Sequence, residues 1–392
     1  MTAPSQADNL GEIDNLVVGG GLAGSMVAIR LAAAGHSVTV LEKERAPHHK
    51  VCGEFLSPEA VDSLRQVGID PISLGAVPIR FVRLSSSRHT AETVLPFTAL
   101  SLSRFALDQA MLARAEQSGC QIHRGIFVEG LVPVDDVWTA QLRDHQPQQA
   151  RTVFLANGKH DLRARPRTPS TQSDLVAFKL HWRLDPSQTE ALRQFIELFL
   201  FRGGYGGLSL IEGGVANLCL VVRRSRLQSV GDWPSLLASI LLDNPLLHRR
   251  LQYAQPLWPR PLAISSIPYG FLAADSKGLW RLGDQAAVIP SFTGDGIAIA
   301  LHSASLAAEM YLAGETPQQY TNKLRAQLHP AMALATMFSR FMVTSPGRQI
   351  APAALSLLPS AMRWIAASTR IPKEARLSTS VLGLVARKQL QT

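Results

Sequence analysis

Gly19, Gly21 and Gly24 form a G-x-G-x-x-G run directly after the apolar residues Ile13, Leu16, Val17 and Val18, and Glu42 stands 18 residues beyond Gly24. These residue types at this spacing suit a dinucleotide. Gly19 permits a tight turn, Gly21 lets a pyrophosphate approach the backbone, and Gly24 lets the next helix pack on the strand. The free N–H groups and positive dipole end of that helix favour phosphates. A carboxylate ending the following strand is placed for a ribose hydroxyl.

The elements that must position these residues are written in the same stretch. Leu22, Met26, Ile29, Leu31 and the alanines predict an apolar helix stopping at Gly35, and Ser37 to Leu41 predicts the second strand. Ser57, Pro58 and Glu59 read as the N-cap, first position and first turn of a further helix. Another helix is expected to end near Gly119, with a strand from Cys120, and a later strand enters a glycine turn near Gly158. From Leu175 the pattern changes. Val176, Phe178, Leu180, Trp182 and Leu184 alternate with Ala177, Lys179, His181 and Arg183, which predicts a half-buried strand with the second set on the solvated face. Two apolar runs around Glu212, Gly213 and Gly214 predict a hairpin.

Bulk composition sets the frame. The chain has 392 residues, 46% hydrophobic and 18% charged, enough for a sizeable core. Cys52, Cys120 and Cys219 show no paired spacing, so neither a disulfide framework nor a metal site is expected. No signal peptide or membrane-spanning stretch is evident, and a cytoplasmic location follows as the expectation. The net charge is +9, and the end of the chain dominates it: Arg340, Arg348, Arg363, Arg370, Lys373, Arg376, Arg387 and Lys388 face one acid, Glu374. That basic, apolar tail is expected to cap the fold, or to meet an anionic membrane surface or an acidic carrier protein presenting substrate. No aromatic-interleaved basic motif accompanies it, so nucleic acid is not an expected partner.

A second glycine motif completes the pattern: Gly283-Asp284 at a strand end, a proline loop, then Gly294-Asp295-Gly296 at a helix start. With the first motif, and with the segments "SRFALDQAMLARAEQSG" and "KVCGEFLSPEA", the chain resembles FAD-dependent monooxygenases of the para-hydroxybenzoate hydroxylase fold and the geranylgeranyl reductase-like flavoproteins. The resemblance covers most of residues 13–315. It implies an α/β fold: a three-layer, Rossmann-like FAD-binding domain with an inserted, mostly antiparallel sheet domain for substrate and a helical C-terminal tail. The implied division is 11–75, 98–170 and 276–316 for FAD, 76–97 and 171–275 for substrate, and 317–392 for the basic helical region.

The resemblance also implies site residues. Gly19, Gly21, Leu22, Ala23, Gly24, Glu42, Lys43, Cys52, Gly53, Arg104, Val128, Gly283, Asp284, Gly294, Gly296 and Ile297 are the implied cofactor contacts, with Gly19, Gly21, Gly24 and Glu42 on the adenosine half. Asp284 would take a ribityl hydroxyl, Arg104 would reach the cofactor, and the helix opened by Gly294 to Ile297 would face the ring with its N–H groups. Cys52, Lys179 and His181 are the candidates for contact with reacting groups. The implied reaction is monooxygenation of an apolar or aromatic, polyketide-like substrate in a biosynthetic pathway, using FAD with NAD(P)H as transient reductant. The alternative is a flavin-dependent reductase or dehydrogenase of carbon–carbon bonds, which the "KVCGE" segment favours; a halogenase or a non-catalytic flavin scaffold stands behind both. Two departures bear on this. The hydroxylases' Asp-Gly pair is Asn157-Gly158 here, with the acid at Asp161, and the halogenases' paired tryptophans are absent where "SSIPYGF" stands.

Overall fold

The computed structural model describes residues 12–162, 166–167 and 172–376. Its first sheet grows around the glycine motif. Strand Ile13–Val18 lies between Val38–Glu42 and Gln148–Leu155, all parallel, and Gln121–Arg124 and Trp280–Arg281 extend the parallel set on the two sides. Val137–Leu142 and Val128–Val134 add an antiparallel meander to the first residues of Gln148–Leu155. Both faces of the central strands are covered, so they read as continuous apolar runs. Val17 and Val40 point into the cluster under helices Leu22–Ala33, Arg104–Gln117 and Gly296–Leu312, whereas Leu16, Val18 and Leu41 join Ile126, Val128 and Leu131 on the meander side. Three layers result.

Among the described residues the second sheet has nine strands and is antiparallel apart from one pair, Phe195–Phe201 beside Val77–Ser85. Strands Gly204–Leu210 and Ala216–Arg223 form the hairpin around Glu212 to Gly214. Strand Thr90–Ser101 runs through the 97/98 division expected from the sequence, and Phe55–Leu56, assigned above to the first unit, adds to its edge. The two sheets are therefore interleaved in the chain more finely than the motif order suggests.

Strand Leu175–Arg183 corrects the expectation of a half-solvated strand. Val176, Phe178, Leu180 and Trp182 do share a face, buried under helices Trp233–Asp243 and Pro245–Leu251. The opposite face is buried too: Lys179 is 0% and His181 3% exposed. It faces the loop that follows Val38–Glu42, and only Arg183 is exposed. From Pro317 to Ser368 the chain is helical and proline-interrupted. Helix Pro317–Met342 starts with a Thr316/Gln319 capping box and contains Pro330; Ser345–Leu357 and Pro359–Ser368 follow and lie against Thr90–Ser101.

Candidate active site

The glycine turn is shaped by contacts that no side chain could enter. Gly19 has φ +104°, and a Cβ there would lie 2.6 Å from the Ala156 carbonyl oxygen; at Gly24 it would lie 1.9 Å from that of Gly19. Gly21 differs. A Cβ there would point towards Lys50 Nζ at 3.6 Å and an Arg104 Nη at 3.8 Å, so this cradle opens onto two cations. The helix behind it, Leu22–Ala33, has no side-chain cap and no acid in its first turn, which leaves its first N–H groups and dipole to an anion. Lys50 and Arg104 share Asp108 (2.8 Å and 2.6 Å). Burial would raise the Asp108 carboxyl, but the two cations outweigh it and hold it below its usual range. Glu42 is buried at its strand end, one oxygen accepting from Gly20 N (2.7 Å) and the other from Glu44 N (3.0 Å). Lys43 is exposed beside Glu44, and Val128 packs in the core with Leu41.

The second motif closes against the first. Gly283 (φ +55°) leaves room for Ala23, 3.3 Å from where its own Cβ would be. Leu22 and Ile297 are core residues around this contact. Asp284 is half-buried, and its peptide carbonyl accepts from Arg167 (2.8 Å). Gly294 has φ +71°, where a Cβ would meet the Phe55 ring at 2.7 Å. Gly296 is exposed, with nothing within 4 Å of an added Cβ, so space opens in front of the helix it begins. Asp295, the N-cap, makes no cap bond; it binds Arg370 at 2.9 Å, and Arg370 also donates to the Thr293 carbonyl (2.7 Å).

Between the motifs lies the segment of Cys52 and Gly53, and it holds a buried acid, Glu54, that the sequence does not mark as a site residue. Residues 51–54 are clamped from both sides: Lys159 Nζ donates to the Val51 carbonyl (2.8 Å) and Asn217 Nδ2 to that of Cys52 (3.2 Å). Cys52 is half-buried, its sulfur accepting from Glu54 N, and Gly53 is exposed. Glu54 is fully buried with φ +59°, a conformation a non-glycine residue holds only when its surroundings impose it. Those surroundings are specific. Lys179 Nζ donates to one carboxylate oxygen, His181 Nε2 lies 3.1 Å from the other, and Arg104 N donates to the first at 2.8 Å. Burial pushes the Glu54 carboxyl up, but the His181 and Lys179 interactions prevail and keep it below its ordinary value.

His49 packs on His181 and Trp258 beside this cluster, with ring centroids 4.9 and 4.7 Å away. Burial first, then the Lys179 and His181 charges, lower its pKa to about 4. Ligand atoms of His49, Glu54 and His181 lie within 4.8 Å of one another, but the Lys179 ammonium already holds the shared carboxylate and opposes a second cation there. Arg104 joins the two regions: its peptide N–H holds Glu54 while its guanidinium faces Gly21.

Lys179 and His181 thus meet at Glu54 near Cys52, instead of lining a wet face. Cys219, cross-strand from Lys179, is a half-buried thiol whose pKa desolvation pushes up to about 12. The sequence reading missed Lys50, Glu54, Asp108 and Arg370. A signal existed for Glu54, a charge followed directly by Phe55 and Leu56. The tail arginines are corrected in part. Arg370 and Arg348 pair inward with Asp295 and Asp243, and Arg376 pairs with Glu59. Arg387 and Lys388 lie outside the described residues.

Two glycine-built cradles at the parallel strands of one sheet, roofed by a second sheet, fit FAD and define the class: an FAD-dependent oxidoreductase. Residues 12–155 match the FAD binding domain family. The chain is 26% identical to a menaquinone reductase of Mycobacterium tuberculosis over 359 residues, 85% of this chain and 86% of that protein. It is 26% identical to digeranylgeranylglycerophospholipid reductase 2 of Methanopyrus kandleri over 318 residues, 76% of each. A flavin-dependent brominase of known structure superposes with a TM-score of 0.75 at 16% identity, over 97% of this chain and all of that one, which shows the shared fold alone.

Proposed function

We propose that the chain is a flavin-dependent reductase that adds two hydrogens to a carbon–carbon double bond of an apolar substrate. The observation that carries this reading is the buried Glu54–Lys179–His181 cluster on the inner face of the second sheet. Saturating a double bond takes a hydride and a proton. Bound FAD supplies the hydride chemistry, and the protein must supply the proton where water is excluded. The same face carries the apolar and aromatic Leu175, Ala177, Tyr205 and Val221 in its core. In that setting Lys179 and His181, oriented by one carboxylate, hold exchangeable protons at fixed positions.

The cofactor contacts follow from the cradles. Gly21, Lys50 and Arg104 hold the pyrophosphate, and Glu42 holds the adenosine ribose. Asp284 and the N-terminus of helix Gly296–Leu312 would hold the ribityl and flavin portions, together with Cys52 and Gly53. NAD(P)H delivers reducing equivalents without a second dinucleotide fingerprint, so it binds transiently or acts through a separate reductase. The two relatives named above are both reductases, which supports this choice over oxygen insertion.

The test is anaerobic. The reduced holoenzyme is mixed with polyprenyl and prenylquinone candidates, and flavin reoxidation and product mass are followed. The expected product is two hydrogens heavier and forms without oxygen. Substrate-coupled oxygen uptake, with a product one oxygen heavier, would instead establish the monooxygenase reading that the sequence also supports.

A further inference from the structure

The helical region after the second motif has a one-sided charge. Between Thr316 and Lys373 there are seven Lys and Arg residues and no Asp or Glu. The structure sorts them. Arg348 and Arg370 are used internally, and Arg325 donates to the Leu272 carbonyl. Lys323, Arg340, Arg363 and Lys373 are exposed and make no ion pair with the described residues.

The same region carries exposed apolar bulk. Sixteen large apolar side chains are exposed among the described residues, and six of them fall between Met337 and Trp364. Leu357 is 82%, Leu358 61% and Trp364 56% exposed. Leu357 and Leu358 form the corner where helix Ser345–Leu357 meets the helical stretch Pro359–Ala375 at 109°. Ile350, also exposed, lies two turns before Leu357 on the same helix face. No single described helix is long and apolar enough to cross a membrane. The two arms have 13 and 10 residues. At ~1.5 Å per residue each falls well short of a hydrocarbon core of ~30 Å.

We propose that this corner docks the enzyme on an anionic phospholipid bilayer. Leu357, Leu358 and Trp364 enter the boundary between head groups and acyl chains, and Arg340 and Arg363 meet lipid phosphates. An exposed apolar tip with an exposed Trp364 and unpaired cations in the same helical region suits an anionic bilayer surface. A second copy of the chain would set cation against cation. An acidic carrier protein would be met by the charges alone and would leave the exposed leucines unexplained. The inference is independent of the reaction proposed above, because it concerns binding of the holoenzyme and needs no turnover.

The experiment is vesicle co-sedimentation of the FAD-loaded enzyme, with phosphatidylcholine alone and with phosphatidylcholine containing phosphatidylglycerol. Binding is expected to the anionic vesicles and to fall as salt is raised. Leu357→Ser with Leu358→Ser and Trp364→Gln should weaken it at least about tenfold. Arg340→Gln and Arg363→Gln should each weaken it about fivefold. Flavin content and melting temperature should match wild type in every variant, since all five side chains are exposed. The proposal is overturned if wild type sediments equally with both vesicle types, or if the apolar variant binds as wild type does. Capture of acyl carrier protein by this surface, without vesicle binding, overturns it as well.

Discussion

Arg370 lies 75 residues beyond Asp295 in the chain, yet its guanidinium sits 2.9 Å from that carboxylate and also holds the Thr293 carbonyl. The C-terminal region therefore braces the loop that begins helix Gly296–Leu312. Asp295 is the N-cap of that helix but makes no cap bond, because its charge is spent on Arg370. Burial raises the Asp295 carboxyl, and Arg370 opposes the rise.

Arg370→Gln should leave a buried carboxylate uncompensated and cost about 3–5 kcal/mol of stability. The sign with pH is defined. A carboxyl whose folded pKa lies above its unfolded value gives the folded state stability at low pH that is lost as pH rises. The variant removes the opposing charge, so its deficit against wild type should shrink from pH 8 to pH 5. Urea unfolding of both proteins at several pH values measures this. A deficit independent of pH would mean that Arg370 acts through packing alone.

Glu42→Ala should weaken FAD binding by about tenfold or more, since a charge-assisted hydrogen bond contributes about 1.5–3 kcal/mol. The structure adds a second consequence. Glu42 also holds the Gly20 amide, so the glycine turn should loosen, and Glu42→Gln, which keeps an acceptor, should retain more affinity. Titration of apoprotein with FAD decides. Unchanged affinity in both variants would confine Glu42 to the turn.

Lys179→Met should destabilise the protein by about 3–5 kcal/mol, because it strands the Glu54 charge in the interior. Glu54→Gln with Lys179→Met should recover much of that loss, since no lone charge remains. Both should slow substrate reduction by about 10²–10⁴-fold if the cluster supplies the proton. Rapid mixing of pre-reduced enzyme with substrate reads the rate, and the flavin spectrum checks cofactor content. A double variant with wild-type turnover would make the cluster purely structural. The Glu54 carboxyl is held below its ordinary value, so the stability it contributes is present above its unfolded pKa of about 4.3 and is lost as pH falls.

His49 gives the opposite titratable type. Its pKa is lowered from 6.5 to about 4 by burial and by the neighbouring Lys179 and His181 charges. Protonation then favours the unfolded chain, so native stability should decline as pH drops from 6.5 towards 4. His49→Phe keeps an aromatic ring against Trp258 and His181 and should flatten that decline. Thermal melts across this range compare the two. Parallel curves would show that the ring stays solvated enough to titrate freely.

The first cradle was legible in the sequence because everything it needs is local. Gly19, Gly21 and Gly24 answer to backbone crowding within one strand–helix turn, and the apolar runs before and after them dictate two parallel strands on either side of that helix. The second motif was legible for the same reason. The alternation from Val176 to Leu184 correctly told which side chains share a face. It could not tell what covers each face, because period-two patterning is silent about distant neighbours. Lys179 and His181 were expected in solvent for that reason, and a loop more than a hundred residues earlier buries them against Glu54. Charge counting had the same limit at the end of the chain. It treated Arg363, Arg370 and Arg376 alike, whereas folding sends Arg370 to Asp295 and Arg376 to Glu59 and leaves Arg363 facing out. Local geometry depends on neighbouring residues and is encoded by spacing. The partner of a buried charge depends on which distant acid the fold brings within a few ångströms, and only the tertiary structure decides that.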